Sequence, residues 1–457
     1  MILSQREGAW DFGGSDLSAI FIHLSDIHFG QEKDGGQLWI NNDAKERLLA
    51  DAKEEIEKLG RKASGIIVTG DISYSSKVAE YVEAGKWLDR LAEQVGCDRL
   101  DIQIVPGNHD IDWNAITPMT KYRLDSIKAE GEATLNLMLD DEGEREALYE
   151  RFAAYRDFST GYDCELDVGG QYSADGVVVL APGRSIRFVR MNSALACSKG
   201  DAEGELLLGA RQRVFEPTNG EEIIALIHHP LNWLQDSDEA RKYIRARARV
   251  LMSGHEHFPS LEIVEVEDGC DLMLLAAGAT APDEFDEQHT YKYNILEFDW
   301  DEDADALSVT INPRTWDDEH KRFEKDVAFL EGKAERNVLG SPFFRKAPVP
   351  SQSDVVEAEE ADGRPRVVPA VNRVTGSAEV DFEMEDDVRL VRLRFFRDIT
   401  EAQRKDILIA LGAIPADLSD KLDHSIEQRF FMKLVRQGRL ADLSAAVAGK
   451  TDATGGK

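Results

Sequence analysis

Five short clusters hold most of the side chains in this sequence that could bind a metal ion or move a proton. They are Asp26-Ile27-His28, Gly70-Asp71, Gly107-Asn108-His109-Asp110, His228-His229-Pro230 and Gly254-His255-Glu256-His257. Six of the ten histidines of the chain lie inside them. Imidazole, carboxylate and amide oxygen together suit borderline cations such as Mn, Fe, Co or Zn better than Mg²⁺. The clusters therefore predict a metal site.

This prediction depends on the combination of clusters rather than on any one of them. A lone Asp-x-His or Gly-Asp is common in caps and turns, and a lone Asn-His or Gly-His-x-His is often structural. All five clusters, in this order and each at the end of a predicted strand, are not expected by chance. Ligands of α/β proteins bind at the carboxyl ends of strands. In Asp-x-His and His-x-His we expect alternate residues to extend in the same direction from a strand end.

The elements that must position these clusters begin with a strand–helix–strand–helix–strand pattern. Short apolar runs predict buried strands at Ala19–Ser25, Gly65–Thr69 and Ile102–Val105. Apolar residues at helical spacing predict helices over Asp43–Leu59 and Lys77–Val95. This order is typical of right-handed βαβ units, which build a parallel sheet.

The rest of the first 345 residues completes a predicted catalytic domain, residues 1–345, with its core at 19–315. The segment from about residue 111 to residue 170 is predicted to form a mostly helical insertion. Strand-like runs then follow at Gly176–Leu180, Ile186–Met191, Ile223–Ile227, Arg249–Met252, Leu261–Val266, Leu272–Ala276 and Leu307–Ile311. We expect an α/β fold, a two-sheet αββα sandwich.

The composition changes in the last quarter of the chain. Residues 346–385 are acidic and contain prolines with little periodicity, which predicts a linker between two semi-independent units. Residues 386–449 carry apolar helical patterns and a capping box at Thr400 and Gln403, which predict a small all-α interaction domain. Residues 450–457 are expected to be a disordered tail.

Charge and cysteine content limit the classes of partner and compartment. The formal charge of −33 opposes long-range attraction to nucleic acid or an anionic membrane. The predicted helical domain, however, carries a basic cluster that could bind nucleic acid or the acidic body of its own chain. The cluster consists of Arg389, Arg392, Arg394, Arg397, Arg404 and Lys405.

Four widely spaced cysteines without a CxxC pair predict reduced, ordinary residues. No run of 18 apolar residues and no apolar N-terminal core is present, so neither a membrane span nor a secretory signal is predicted. We expect a soluble cytoplasmic protein without membrane contact.

The order D-x-H, G-D, G-N-H-D, H-x-P and G-H-x-H resembles the calcineurin-like metallophosphoesterases over roughly residues 19–315. The runs HLSDIHFG, IIVTGD, IVPGNHD, LIHHP and SGHEH are similar to the branch that contains the class III cyclic-nucleotide phosphodiesterases. The resemblance implies a sandwich of the metallophosphoesterase type. No metal-ligand position departs from the family pattern.

The resemblance also implies a dinuclear metal centre and a role for each residue. The expected ligands are Asp26, His28, Asp71 and His257 for the first metal, and the bridging Asp71 with Asn108, His228 and His255 for the second. We expect His109 to be catalytic, facing the phosphate without binding metal, and Asp110 to orient it. His229 is expected to be structural, and Glu256 to face away from the metals.

The implied reaction is hydrolysis of a phosphate ester. Two metals roughly 3.5–4 Å apart can share a hydroxide, lower its pKa and aim it at a phosphorus atom. We expect two divalent or mixed-valence ions (Mn, Fe, Zn or Co), a phosphodiesterase activity, and a phosphate-ester small molecule or nucleotide as substrate. A metal-dependent nuclease of the same fold and a catalytically inert scaffold stay open as alternatives.

The stretch FFMKLVRQGRLADLSAAV near the end of the chain resembles the small death-like, effector-associated adaptor domains. This resemblance implies that the helical domain binds a protein partner.

Overall fold

The computed structural model of the chain describes residues 18–31, 38–167, 169–174, 176–265, 269–282, 290–346, 367–368, 382–415 and 422–454. The strands are β1 (Ala19–Leu24), β2 (Gly65–Val68), β3 (Ile102–Ile104), β4 (Val177–Ala181), β5 (Arg184–Arg190), β6 (Glu221–Leu226), β7 (Ala248–Ser253), β8 (Pro259–Val264), β9 (Leu272–Ala277), β10 (Lys292–Asp301), β11 (Ala306–Asp317), β12 (Arg322–Lys325), β13 (Arg336–Leu339) and β14 (Val367–Val368). The helices are α1 (Leu38–Lys58), α2 (Val78–Val95), α3 (Pro118–Glu130), α4 (Glu132–Asp140), α5 (Glu142–Tyr149), α6 (Ala153–Gly161), α7 (Ala210–Arg213), α8 (Ser237–Arg247), α9 (Phe382–Leu393), α10 (Glu401–Ala410), α11 (His424–Arg436) and α12 (Leu440–Thr454). A π-helical turn at Arg394–Asp398 follows α9.

Two seven-stranded mixed sheets form the centre of the molecule. The first has the order β12-β11-β10-β1-β2-β3, with β13 also paired to β11, and the second has the order β14-β4-β5-β6-β7-β9-β8. β1, β2 and β3 are parallel, and so are β5, β6, β7 and β9. Parallel neighbours end at the same edge of a sheet, so the loops that follow them are brought together.

The alternation of side chains along β1 shows how the layers are built. Phe21 packs between the two sheets, with its ring 5.2 Å from the ring of Phe188 on β5. Ile20 and Ile22 point to the other face, where they join the cluster formed with α1 and α2. Ile244 of α8 covers the outer face of the second sheet in the same way. The expected αββα sandwich is therefore confirmed.

Within residues 1–345, here called the catalytic part, the structure differs from the sequence predictions at three points. α1 begins at Leu38 rather than Asp43, although Trp39 and Ile40 near its start are exposed. β10 was not predicted, yet it pairs antiparallel with β1 in the middle of the first sheet. α8 was also not predicted. The insertion is mostly helical, as expected, and consists of α3 to α6.

The end of the chain is more ordered than its composition suggested. Within the predicted linker, β14 pairs with β4, and α9 already begins at Phe382. The predicted tail is wrong up to residue 454, because α12 continues to Thr454. The remainder of the linker and residues 455–457 lie outside the described residues. The capping box of Thr400 and Gln403 is confirmed at the start of α10.

Residues 382–454, here called the helical unit, pack against the catalytic part rather than standing apart from it. Leu393 is fully buried in the same hydrophobic cluster as α1 and α2. Ion pairs join Arg389 and Arg392 to Asp163, Arg397 to Asp89, and Arg404 to Asp157. The two units that the sequence predicts to be semi-independent are therefore in contact, and these four arginines of the basic cluster contact the acidic body of their own chain.

Two expectations about other features can be compared directly with the structure. All four cysteines are unpaired, as expected. Across the described ranges, no helix is both long enough and apolar enough to cross a membrane.

Candidate metal centre

The five clusters converge at the edge where the parallel strands of both sheets end. The loops after β1, β2 and β3 meet those after β6 and β7, and four short distances connect the expected ligands. The Nε2–oxygen distances are 3.3 Å from His257 to Asp26 Oδ1, 3.5 Å from His28 to Asp71 Oδ2, 3.2 Å from His228 to Asp71 Oδ2 and 3.1 Å from His228 to Asn108 Oδ1. His255 joins this group through its ring, whose centroid lies 5.2 Å from that of His228. The structure thus brings side chains from all five clusters close together.

Asp71 lies at the centre of this arrangement. Its Oδ2 lies close to Nε2 of both His28 and His228, and its Oδ1 accepts a hydrogen bond of 2.8 Å from the backbone N–H of His109. Asp71 also belongs to two different groups of side chains that could each hold a metal ion, one with His28 and His109 and one with Asp26 and His228. One carboxylate can therefore serve two adjacent cations.

The backbone reaches this arrangement through left-handed turns. Positive φ angles occur at Asp26 (54°), His28 (52°), Asp71 (53°), His255 (73°) and His257 (58°). Such angles are uncommon outside glycine and cluster at functional sites, where the surrounding structure holds them in place. The expected extension of alternate residues from a strand end is therefore wrong, because these residues have left-handed backbone conformations instead. Asp26 and His28 join the same group of potential ligands, whereas His255 and His257 join two different groups.

Glycines allow the loops to approach one another closely. A Cβ atom at Gly107 would overlap the carboxylate and backbone nitrogen of Asp71, and one at Gly254 would overlap the hydroxyl of Ser25. Glycine is therefore required at both positions. It lets the loop after β3 approach Asp71 and the loop after β7 approach Ser25.

The histidine hydrogen bonds indicate that the centre requires a cation. Nδ1 of His28 donates to the carbonyl oxygen of Ala281 (3.1 Å), and Nδ1 of His228 donates to that of Thr69 (2.7 Å). In a neutral imidazole this leaves a lone pair on Nε2, and both Nε2 atoms face oxygens of Asp71. Two acceptors face each other without repulsion only if a proton or a metal ion lies between them.

The electrostatics of the centre agree with this requirement. Burial works to lower the pKa of His228, but the carboxylate of Asp71 outweighs it and raises that pKa to about 9. Burial works to raise the pKa of Asp71, but His228 and His109 hold it well below its usual range. The buried Oδ1 of Asp26 faces Nε2 of His257 at 3.3 Å, but the pair does not have the geometry of a hydrogen bond. The residues thus fit metal binding, because a cation would satisfy each of these atoms.

The two predicted catalytic residues behave differently from each other. His109 is partly exposed, and its Nδ1 donates to the carbonyl oxygen of Tyr74 (2.8 Å), whose ring stacks on the imidazole at 5.0 Å. The carboxylate of Asp110 instead accepts hydrogen bonds from the backbone N–H groups of Ile72 (3.2 Å), Ser73 (3.1 Å) and Gly107 (3.0 Å). The prediction that Asp110 orients the ring of His109 is therefore wrong, and Tyr74 contacts that ring instead.

Two histidines outside the expected ligand set also lie within ligating distance of other members. His109 groups with His28 and Asp71, and His229 groups with His228 and His255. Nδ1 of His229 lies 2.8 Å from the hydroxyl of Ser193, and its Nε2 lies 3.8 Å from Sγ of Cys197. Since both of its ring nitrogens have protein partners, His229 fits the structural role expected from the sequence.

The sequence analysis missed the aromatic residues that border the centre. Trp233 lies edge-to-face against His255, with ring centroids 4.1 Å apart. Its Nε1 donates to Glu256 (3.3 Å), as does the amide of Asn232 (2.9 Å). Glu256 is exposed and faces these residues rather than the metal ligands. Tyr74 lies three residues after Asp71, and Trp233 lies three residues after Pro230. This closeness to two motifs was the sequence signal that could have identified them.

Comparison with known proteins places these observations in context. The model of the family described as calcineurin-like phosphoesterase matches residues 20–259, just over half of the 457 residues. The model described as GTPase-associated adaptor domain matches residues 387–449, which lie in the helical unit. The uncharacterized metallophosphoesterase-like protein YydB of Bacillus subtilis (strain 168) is 24% identical over 326 residues. That match covers 67% of this chain but only 61% of YydB, so it spans less than two thirds of the relative.

Solved structures show weaker similarity. A double mutant of Vps29 from Entamoeba histolytica is 13% identical, with a TM-score of 0.29 and coverage of 67% of this chain and 97% of that one. The NAD nucleotidase NadN of Haemophilus influenzae is 9% identical, with a TM-score of 0.33 and coverage of 70% and 56%. TM-scores this low say nothing about function.

Proposed function

The chain belongs to the calcineurin-like phosphoesterase family, and we propose that it is a phosphodiesterase that depends on two metal ions. The family supports hydrolysis of a phosphate ester, and the finer assignment rests on the arrangement at Asp71. Its Oδ2 lies within 3.5 Å of the Nε2 atoms of two histidines from different clusters, His28 and His228. This single carboxylate, shared between two potential cation sites, is the observation that carries the proposal.

The proposed ligand sets are those that the family resemblance implies, and the short distances from Asp71 to His28 and His228 are compatible with them. Asp26, His28, Asp71 and His257 would hold the first metal, and Asp71, Asn108, His228 and His255 the second. Two of the ligands are anionic, so two divalent ions would keep an excess of positive charge at the site. This local charge would attract a phosphate group although the chain as a whole is strongly acidic.

When bound, the two cations would supply Lewis acidity towards the phosphate oxygens and the activated water that attacks phosphorus. The residues of the chain would then position the substrate and move protons. His109 is partly exposed, and across the described residues its Nε2 makes no hydrogen bond, while Nδ1 is fixed by the carbonyl oxygen of Tyr74. A proton on Nε2 could be donated to a non-bridging oxygen or to the leaving oxygen.

A metal-supplemented hydrolysis assay tests the proposal. Chelation is expected to abolish hydrolysis of bis-p-nitrophenyl phosphate, and Mn²⁺ to restore it. Asp71→Ala is expected to be the most damaging ligand change, because it removes a group from both metal sites. Elemental analysis of the Asp71→Ala protein is expected to show fewer than two metal ions per chain.

Two controls make the result specific. His320→Ala removes an exposed histidine whose ring contacts Asp317, and is expected to change neither metal content nor rate. Phosphomonoesters, cyclic nucleotides and DNA, tested in parallel, identify the substrate class and separate a diesterase from a nuclease. Full activity of metal-free Asp71→Ala would refute the proposal, and an inactive but metal-loaded wild type would favour the inert scaffold.

A further inference from the structure

A tyrosine of α2 helps to hold the loop that carries two of the proposed functional residues. The hydroxyl of Tyr81 donates a hydrogen bond of 2.8 Å to Oδ1 of Asp110, and Tyr81 is almost completely buried. Asp110 follows directly after Asn108 and His109 in the loop after β3. The position of that loop therefore depends on a side chain from a different element.

Asp110 is the point where two loops of the centre are joined. Its Oδ2 accepts from the N–H groups of Ile72 and Gly107, and its Oδ1 from the N–H and the hydroxyl of Ser73 as well as from Tyr81. Since all of these groups are donors, the carboxylate acts only as an acceptor and ties the loop after β2 to the loop after β3. Loss of one buried donor would leave the charge of Asp110 less well compensated.

Aromatic contacts connect Tyr81 to α6 and from there to the helical unit. The ring of Tyr81 lies 5.0 Å from that of Phe158, and Phe158 lies 5.1 Å from Tyr162. Arg397 of the π-helical turn donates to the hydroxyl of Tyr162 (2.7 Å) and forms two hydrogen bonds with Asp89 of α2 (2.7 and 2.9 Å). The helical unit thus contacts both helices that support Tyr81.

Two glycines let Arg397 come this close. A Cβ atom at Gly85, one turn beyond Tyr81 on α2, would lie 3.3 Å from Cδ of Arg397. A Cβ atom at Gly161, at the end of α6, would lie 3.0 Å from Cβ of Arg397. Both distances are shorter than ordinary side-chain contacts, so Arg397 packs against bare backbone on both helices.

We propose that Tyr81 is a positioning residue for the loop of Asn108 and His109, and that the docked helical unit stabilises this position through Arg397, α6 and α2. This inference rests on the proposed function for its effect on the reaction rate. Its structural part concerns only hydrogen bonds of the chain and can be tested without any substrate.

The first experiment compares Tyr81→Phe with Tyr155→Phe in the full chain. Tyr155 is buried, and its ring centroid lies 6.3 Å from that of Tyr81. Its hydroxyl has no hydrogen-bond partner in the described residues, so removal of this hydroxyl is a matched control. Tyr81→Phe is expected to accelerate hydrogen exchange of the N–H groups of Ile72, Ser73 and Gly107 by roughly ten- to a hundredfold, the usual effect of losing a hydrogen bond to a charged group. Tyr155→Phe is expected to leave that exchange unchanged.

The same variants separate positioning from simple loss of stability. Tyr81→Phe is expected to lower kcat with little change in KM and with wild-type metal content, whereas Tyr155→Phe keeps the wild-type kcat. Wild-type exchange in Tyr81→Phe would overturn the proposal. If the wild type itself proved inactive, the proposed function would fail while the exchange result still decided the role of Tyr81.

The second experiment tests the contribution of the helical unit. Arg397→Ala is expected to accelerate exchange of the same three N–H groups, by less than Tyr81→Phe does, because it acts through two helices. Lys450→Ala removes the exposed pair with Asp406 inside the helical unit and serves as the control. Wild-type exchange at these groups in Arg397→Ala would overturn the link between the helical unit and the loop.

Discussion

At the scale of single residues, the function of each histidine is set by the partners of its two ring nitrogens. His28, His109 and His228 all donate from Nδ1 to a backbone carbonyl group, which leaves Nε2 for the centre. His229 has protein partners at both nitrogens. The sequence predicted which histidines meet, because motif order places them at strand ends. It could not predict these carbonyl partners, since Ala281 and Thr69 belong to loops far away along the chain.

The distinction between a ligand and a catalytic histidine gives a first prediction. His109→Ala is expected to keep close to two metals per chain while kcat falls by roughly 10²–10⁴, the usual contribution of positioned acid–base catalysis. His228→Ala is expected to lose metal, because its Nε2 faces both Asp71 and Asn108. Metal analysis and kcat on the same preparations check this. Equal metal loss in both variants would show that His109 is a ligand, which its distance to His28 and Asp71 permits.

Glu222 gives a second residue-scale prediction, on stability. Burial raises the pKa of Glu222 to about 7 from an ordinary value of 4.5, although Arg249 lies 3.3 Å away. Between these two pH values the folded chain binds more protons than the unfolded chain. The free energy of unfolding therefore falls as the pH rises through this window, by up to about 1.4 kcal/mol per pH unit.

Glu222→Gln is expected to remove this component of the pH dependence. The amide oxygen can still accept from the N–H groups of Phe343 and Phe344, as the carboxylate does. Urea unfolding of both proteins at pH 5, 6, 7 and 8 measures the difference, and all other titrating groups are common to the pair. Parallel curves of unfolding free energy against pH would contradict the prediction.

At the scale of elements, apolar patterns predicted the strands that carry the site but not every strand that supports them. β1, β2 and β3 are short, fully buried apolar runs, so their positions followed from the sequence. β10 mixes charged and apolar residues and ends in a partly exposed segment, which hid its place beside β1. Left-handed residues such as Asp26 and Asp71 were also not predictable, because the contacts that stabilise them come from other loops.

At the scale of the whole molecule, the helical unit and the catalytic part form one packed structure. Composition suggested a flexible connection, but composition does not report ion pairs between residues that are far apart in sequence. Arg389 with Asp163 and Arg397 with Asp89 are such pairs. Arg397 and Arg404 are almost completely buried, so these contacts are less screened by solvent than surface pairs.

Truncation gives the prediction that belongs to this scale. A chain that ends at Arg345 loses β14, Leu393 and Arg397, and leaves apolar side chains of α2 and α6 uncovered. We expect its midpoint of thermal unfolding to fall by roughly 5 °C or more. We also expect kcat to fall at unchanged metal content, because α2 and α6, which support Tyr81, lose their contacts with Arg397. Differential scanning calorimetry and elemental analysis check both, and a wild-type midpoint would show that the helical unit is dispensable for stability.

The pairing of β14 with β4 limits how far the helical unit could travel after release from α2 and α6. Between Val368 and Phe382 the chain can span at most about 50 Å. A released unit would remain tethered within that radius, at an effective concentration in the millimolar range for its own docking site. A partner protein present at about micromolar concentration would need roughly a thousandfold tighter binding to keep the unit away. A protein that competed for the docked face of the helical unit would therefore have to bind strongly or multivalently, and weak transient encounters would leave the unit docked.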